Sequence, residues 1–260
     1  MRQFVTALAC LLMAVCLIVF VSTTVAQSLQ RTYIPLVRNG PAPTATVTPT
    51  TEPTLTPIPT AIPQPTPTPI PAGVPVLSSS TYTSSSGTRY IVGEVQNNTG
   101  GNVRFVKIIA SLYDASGTFI GTDYTYTTLD ILRPGQRSPF TILIFDPPAE
   151  YQSYRLQVEW NATNNQPVNG VTILSYRDRA ASIQNWRYVS GEVRNDSGGP
   201  VRYVKIVATM YSANGTVVET EYGYTSLDNL AAGQTSPFEF LVTHWVNVAR
   251  YELQVEASRP

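Results

Sequence analysis

The sequence predicts an all-β protein of two tandem antiparallel sandwiches, and three observations predict it. The C-terminal part of the chain is one module written twice, its longest apolar run alternates with period two, and turn residues rather than helical stretches separate the runs. Read at an offset of 98, Arg89–Phe145 aligns with Arg187–Thr243 without a gap, and 31 of 57 positions are identical. With single-residue slips the match extends to Val74–Trp160 and Val171–Ala257, and the second module is drawn to residue 258. A module of 87 residues can bury a small core of its own. Two independently folded beads are therefore expected, joined by the polar residues 161–170.

The longest run is Val103–Tyr113, repeated as Val201–Tyr211. One alternate set holds Val106, Ile108, Ala110 and Leu112, or Val204, Ile206, Ala208 and Met210 in the second copy. These uniformly apolar residues are expected to face the core. The opposite set, Phe105, Lys107, Ile109, Ser111 and Tyr113, is mixed. Hairpin turns follow at Asp114–Gly117 and Ser212–Gly215, where glycine supplies φ > 0. Thr118–Thr128, a Pro134-Gly135 turn (Ala232-Gly233 in the second copy), Phe140–Phe145 and Tyr154–Trp160 come next. With Val74–Ser78 and Tyr90–Gln96 they make six or seven short strands per copy, which points to sandwiches of immunoglobulin-like kind.

Within each copy, Gly93-x-Val95-x-Asn97, the stretch Ala110–Gly117 and Leu132-x-Pro134-Gly135-Gln136 with Phe140 resemble the FxLYD domain of exported bacterial proteins. Ala110 stands where the name-giving Phe belongs, and the second copy reads Ala208-Thr209-Met210-Tyr211-Ser212. The resemblance implies an extracytoplasmic β-sandwich module and brings no catalytic residues with it.

The N-terminus carries the marks of export. Arg2 precedes an apolar run from Phe4 to Val21, and Thr24 and Ala26 suit the small-residue sites of a signal peptidase. Residues 1–26 are read as a signal peptide, the alternative being an uncleaved membrane tether through 4–21. Residues 27–40 form a short segment around Tyr33-Ile34-Pro35-Leu36-Val37. From 41 to 73, 11 of 33 residues are Pro and 10 are Thr. Proline fixes φ and removes donors, so a disordered, polyproline-like stalk is expected there. Either signal reading places the sandwiches outside the cytoplasm, secreted or at the cell surface.

Composition excludes several function classes. Lys+Arg 17 balance Asp+Glu 17, so the basic footprint of a nucleic-acid binder is missing. Cys10 and Cys16 both lie in the apolar run, which leaves the modules no disulfide framework, thiolate site or cysteine nucleophile. His244 is the single histidine and has Asp146 as its counterpart, so it is read as a loop residue outside any shared site. Glu94 and Glu192 are expected to be outward and solvated, paired across strands with Lys107/Lys205 or Arg104/Arg202. Asp130 and Asp228 are expected to bond their own turn backbone. No enzyme, cofactor or metal site is expected. The loops at Asn97 and Asn195 are read as turns, and Asn97, Asn161, Asn195 and Asn214 open N-x-Ser/Thr triplets.

The candidate binding surface is aromatic: Phe105, Tyr113, Tyr124 and Tyr126, repeated as Tyr203, Tyr211, Tyr222 and Tyr224. Tyr90 and Tyr188 also recur. An outward patch of such rings gives flat amphipathic area for protein contact or for stacking on sugars. The expected function is thus a non-catalytic surface protein for structural or adhesive protein–protein contact, with a carbohydrate-binding accessory module as the alternative. The partner is an unidentified protein or polysaccharide at the cell surface.

Overall fold

A computed structural model describes residues 72–260, which fall within one compact unit, Gln64–Pro260. The export signal, the 27–40 segment and the Pro/Thr stretch up to residue 71 lie outside the described residues. Among the described residues the chain is all-β and no helix is long and apolar enough to cross a membrane.

The first copy contributes β1 (Val76–Thr83), β2 (Arg89–Gln96), β3 (Val103–Tyr113), β4 (Phe119–Tyr126), β5 (Ile131–Leu132), β6 (Arg137–Ile144) and β7 (Ser153–Ala162). The second contributes β8 (Val171–Ala180), β9 (Arg187–Asn195), β10 (Val201–Tyr211), β11 (Val217–Tyr224), β12 (Asn229–Leu230), β13 (Thr235–Val242) and β14 (Arg250–Ser258). Every pairing is antiparallel. Each copy has a three-stranded sheet, β1-β2-β6 or β8-β9-β13, and a four-stranded sheet built on β3 or β10. In the latter, β4 and β7 flank β3, as β11 and β14 flank β10, and the short β5 and β12 pair with the strand starts.

The alternation in the sequence becomes two cores. Val106, Ile108, Ala110 and Leu112 of β3 are buried against Ile91 and Val95 of β2 and Phe140 and Ile142 of β6. Val204, Ile206, Ala208 and Met210 do the same with Val193, Phe238, Phe240 and Val242. Gly93 and Gly191 are fixed by this packing: a Cβ would lie 2.1–2.7 Å from the Phe140 or Phe238 ring and the carbonyl of Ser78 or Ser175. Asn97 explains the end of the motif. It is fully buried, its Nδ2 donates to the Gly101 and Leu132 carbonyls, and its Oδ1 accepts from Thr99. Asn195 repeats every one of these bonds with Gly199, Leu230 and Ser197. Both carboxamides are committed to their turns, whereas Asn161 and Asn214 are exposed.

Two sandwiches are present, but they are not separate beads. The three-stranded sheet of the first copy lies against the outer face of the four-stranded sheet of the second. Val92 of β2, Tyr211 of β10 and Val217 of β11 form a third buried cluster with Tyr82 and Tyr90, and Val207 packs with the first copy's core. The polar joint is shorter than its sequence suggests, because β7 continues through Asn161 and Ala162.

Candidate functional site

Two phenol–carboxylate clasps cross between the copies in opposite directions. Tyr211 Oη donates to Glu94 Oε1 at 2.7 Å, and Tyr82 Oη donates to Glu219 Oε2 at 2.6 Å. Around them Ser80 Oγ reaches the Val217 carbonyl at 2.6 Å, and Lys205 Nζ reaches the Thr128 carbonyl at 2.6 Å and Asp130 at 3.3 Å. Lys205 also pairs with Glu256 at 2.8 Å, Asp130 N donates to Glu256 Oε1 at 2.9 Å, and Gln136 bonds Gln254 at 3.3 Å. The His244 ring stacks on Tyr82 with centroids 3.7 Å apart, and Tyr82 stacks on Tyr90 at 4.7 Å.

Burial sets the titration of this seam. It pushes the Glu219 carboxyl up to about 7 despite the bonds from Tyr82 and the Thr220 amide. Burial also raises Glu94, against the Tyr211 bond and the Arg137 charge. The Tyr82 and Tyr211 hydroxyls are raised by burial and by the carboxylates they face. For His244, burial lowers the pKa and favours the neutral ring.

Three sequence expectations are corrected here. Glu94 is buried rather than solvated, because the second copy covers β2, and its ion-pair partner is Arg137 at 3.5 Å, not Lys107 or Arg104. Glu192, on the uncovered β9, is exposed as expected. Asp130 turns its carboxylate to Lys205 of the other copy rather than to its own turn. Tyr211, expected on the binding surface, is only 1% exposed because its face of β10 is sealed by the first copy. Its counterpart Tyr113 stays half-buried, edge-on to Phe119 at 6.1 Å with Arg155 over its ring.

The other candidate residues stand in the open. Phe105, Tyr124, Tyr126, Tyr203, Tyr222 and Tyr224 are all about half exposed or more. Tyr124 and Tyr126 meet edge-on at 6.3 Å, and Tyr222 and Tyr224 at 6.0 Å. Phe105 and Tyr203 sit at β-bulges, between Arg104 and Lys107 in β3 and between Arg202 and Lys205 in β10. Both have left-handed backbones, φ 51° and 50°, a region that bulky residues avoid. The preceding arginines, Arg104 and Arg202, lie over these rings at 4.7 and 5.3 Å. Alternation with Val106 and Val204 already turns the two rings outward, and the bulge adds Arg104 and Arg202 on the uncovered side beside them.

These rings border two hollows. Phe105, Tyr126, Leu129 and Ile131 line one of about 590 Å³ on the first copy. A groove of about 510 Å³ runs along the seam, lined by Tyr82, Tyr90, Tyr126, Tyr222 and Tyr224 with Lys205, Glu219, Glu221 and several threonines. Repeat comparison finds Tyr90, which recurs as Tyr188, but misses Tyr82 as a groove residue. Arg179 occupies the register position of Tyr82 in β8, so a search for residues shared by both copies discards it. Among the described residues no group of three or more His, Cys, Asp or Glu gathers as metal ligands do.

No family model matches the chain, and no curated protein matches it. Among solved structures, a calcium-binding mutant of Bacteroides uniformis β-glucuronidase 2 is similar over 64% of this chain and 24% of that one, at 17% identity and TM-score 0.20. Red sea bream transglutaminase is similar over 70% and 29%, at 7% identity and TM-score 0.23. The Amycolatopsis orientalis exo-chitosanase is similar over 69% and 25%, at 12% identity and TM-score 0.20. The chain thus spans about a quarter of the length of these proteins, and likeness at such scores carries no inference about its activity.

Proposed function

We propose that this chain is a non-catalytic extracytoplasmic surface protein that presents two fused sandwiches of immunoglobulin-like, FxLYD-type kind on a Pro/Thr stalk and acts by adhesive or structural protein–protein contact. The observation that carries the reading is the strained, exposed ring at the same bulge of both copies, Phe105 and Tyr203. A left-handed non-glycine residue costs roughly 1–2 kcal/mol, and a ring that is 56% or 58% exposed returns little of it through burial. Such rings are supported by what they touch outside the chain. The carboxylates, by contrast, have structural work: Glu94 and Glu219 close the seam, and Asp130 and Glu256 hold Lys205.

Cells displaying the full chain test this. Phe105→Gly with Tyr203→Gly keeps the backbone conformation and removes both rings, and is expected to lower cell adhesion by about tenfold or more at equal display. Unchanged adhesion overturns the reading. The seam groove favours carbohydrate binding as the second reading, since five tyrosines and several hydroxyls line it. Retention on a glycan array that is lost on Tyr126→Ala supports that one, and no retention of any glycan removes it.

A further inference from the structure

The seam between the copies is head-to-tail: the β1-β2-β6 sheet of one module meets the β10 face of the next. A contact of this kind between two like modules is heterologous and leaves each of its halves uncovered once, at opposite ends of the pair. Here the uncovered halves are the β3 face of the first copy and the β9 face of the second.

Those end faces keep the chemistry of the seam. Glu192 and Tyr113 stand at the positions of the clasp partners Glu94 and Tyr211, with Glu192 exposed and Tyr113 half-buried. Lys107 occupies the place of Lys205, and exposed Asp228 that of Asp130. Glu159 pairs in register with Lys107 as Glu256 does with Lys205, and Gln157 and Gln234 replace the Gln254–Gln136 pair. The apolar positions persist too: Ile109 stands for Val207 and Phe119, 56% exposed, for Val217. Among the described residues Lys107 forms no ion pair and lies over the Tyr124 ring at 4.1 Å, so its charge is open to an acid from outside. Four exchanges loosen the fit, Arg179 for Tyr82, Ser190 for Val92, Gly121 for Glu219 and Asp146 for His244, and the first and third remove the second clasp. The outside contact is therefore weaker than the internal one.

We propose that the chain associates end to end with a second copy of itself, the β3 face of one molecule docking on the β9 face of the next in the arrangement of its internal seam. Lys107 of one molecule then meets Asp228 of the next, and Tyr113 clasps Glu192. This goes beyond the adhesive reading, because it uses the two end faces rather than the bulge rings. An open head-to-tail contact forms a growing series and not a closed dimer.

Sedimentation velocity of the full chain over a concentration series tests it. The expected result is concentration-dependent growth through dimer and trimer that weakens with added salt. Lys107→Glu and Asp228→Lys should each weaken association by about tenfold or more, and the chain carrying both reversals should recover it. Both sites are on the surface, and circular dichroism of each variant verifies the fold. A chain that stays monomeric up to about 1 mM overturns the proposal. So does a series that stops at a dimer, or association that ignores both reversals, as contact through the apolar run 4–21 would.

Discussion

β3 and β10 have nearly the same sequence and different burial. Along β3 buried and half-exposed residues alternate from Val106 to Tyr113, whereas β10 is buried at every position from Ile206 to Tyr211. The reverse holds for β2 and β9: Ile91 to Val95 of β2 is buried throughout, and β9 opens at Ser190, Gly191 and Glu192. One strand of each pair is covered on both faces because the two covered strands face each other. Burial here is decided by position in the tandem and not by the module's own pattern.

The sharpest way to break the comparison is to make the same change twice. Tyr211→Ala empties a buried site and strands the Glu94 carboxylate, and is expected to cost about 3–5 kcal/mol in denaturant unfolding. Tyr113→Ala removes a half-exposed ring and is expected to cost about 1 kcal/mol. Equal costs would mean the two faces are equivalent.

A second comparison is of pH. Glu219 has a folded pKa of about 7, above its ordinary 4.5, so its contribution to stability is fully present below 4.5 and is lost as pH rises through 7. Glu94 is shifted in the same direction. His244 runs oppositely: its folded pKa lies below 6.5, and its contribution is lost as pH falls below that value. Glu219→Gln removes the first effect alone. Its melting midpoint relative to the parent is expected to rise by roughly 5 °C between pH 5 and pH 8. A constant difference would show that the clasp carboxylate is not desolvated.

The smallest effect sharpens the functional reading. Phe105→Gly relieves a left-handed aromatic while removing a ring already 56% exposed. The stability change is expected to stay within about 1 kcal/mol, although Phe→Ala in a core costs 3–5. A larger loss would make the bulge ring a packing residue.

Much of this fold was legible because alternation and turn chemistry act locally. Val106, Ile108, Ala110 and Leu112 face the core, and Gly117 and Gly215 take the left-handed turn positions that their sequence context predicts. The seam was not legible, for a physical reason. Residues that build it, Tyr82, Val92, Glu219 and His244, are those whose counterparts Arg179, Ser190, Gly121 and Asp146 differ, so comparing copies for what they share removes them. Glu94 and Tyr211 do recur, but alternation assigns both to an outward face and carries no information about a neighbouring module. Of the candidate surface, the bulge and β4/β11 rings are in the open, while Tyr211 is spent on the seam.

Scanning calorimetry of the full chain reads the fused seam most directly. One transition is predicted, its calorimetric and van't Hoff enthalpies equal, with a midpoint that falls on Tyr211→Ala. Two resolved transitions, neither moved by that substitution, would mean that the sandwiches unfold as independent beads.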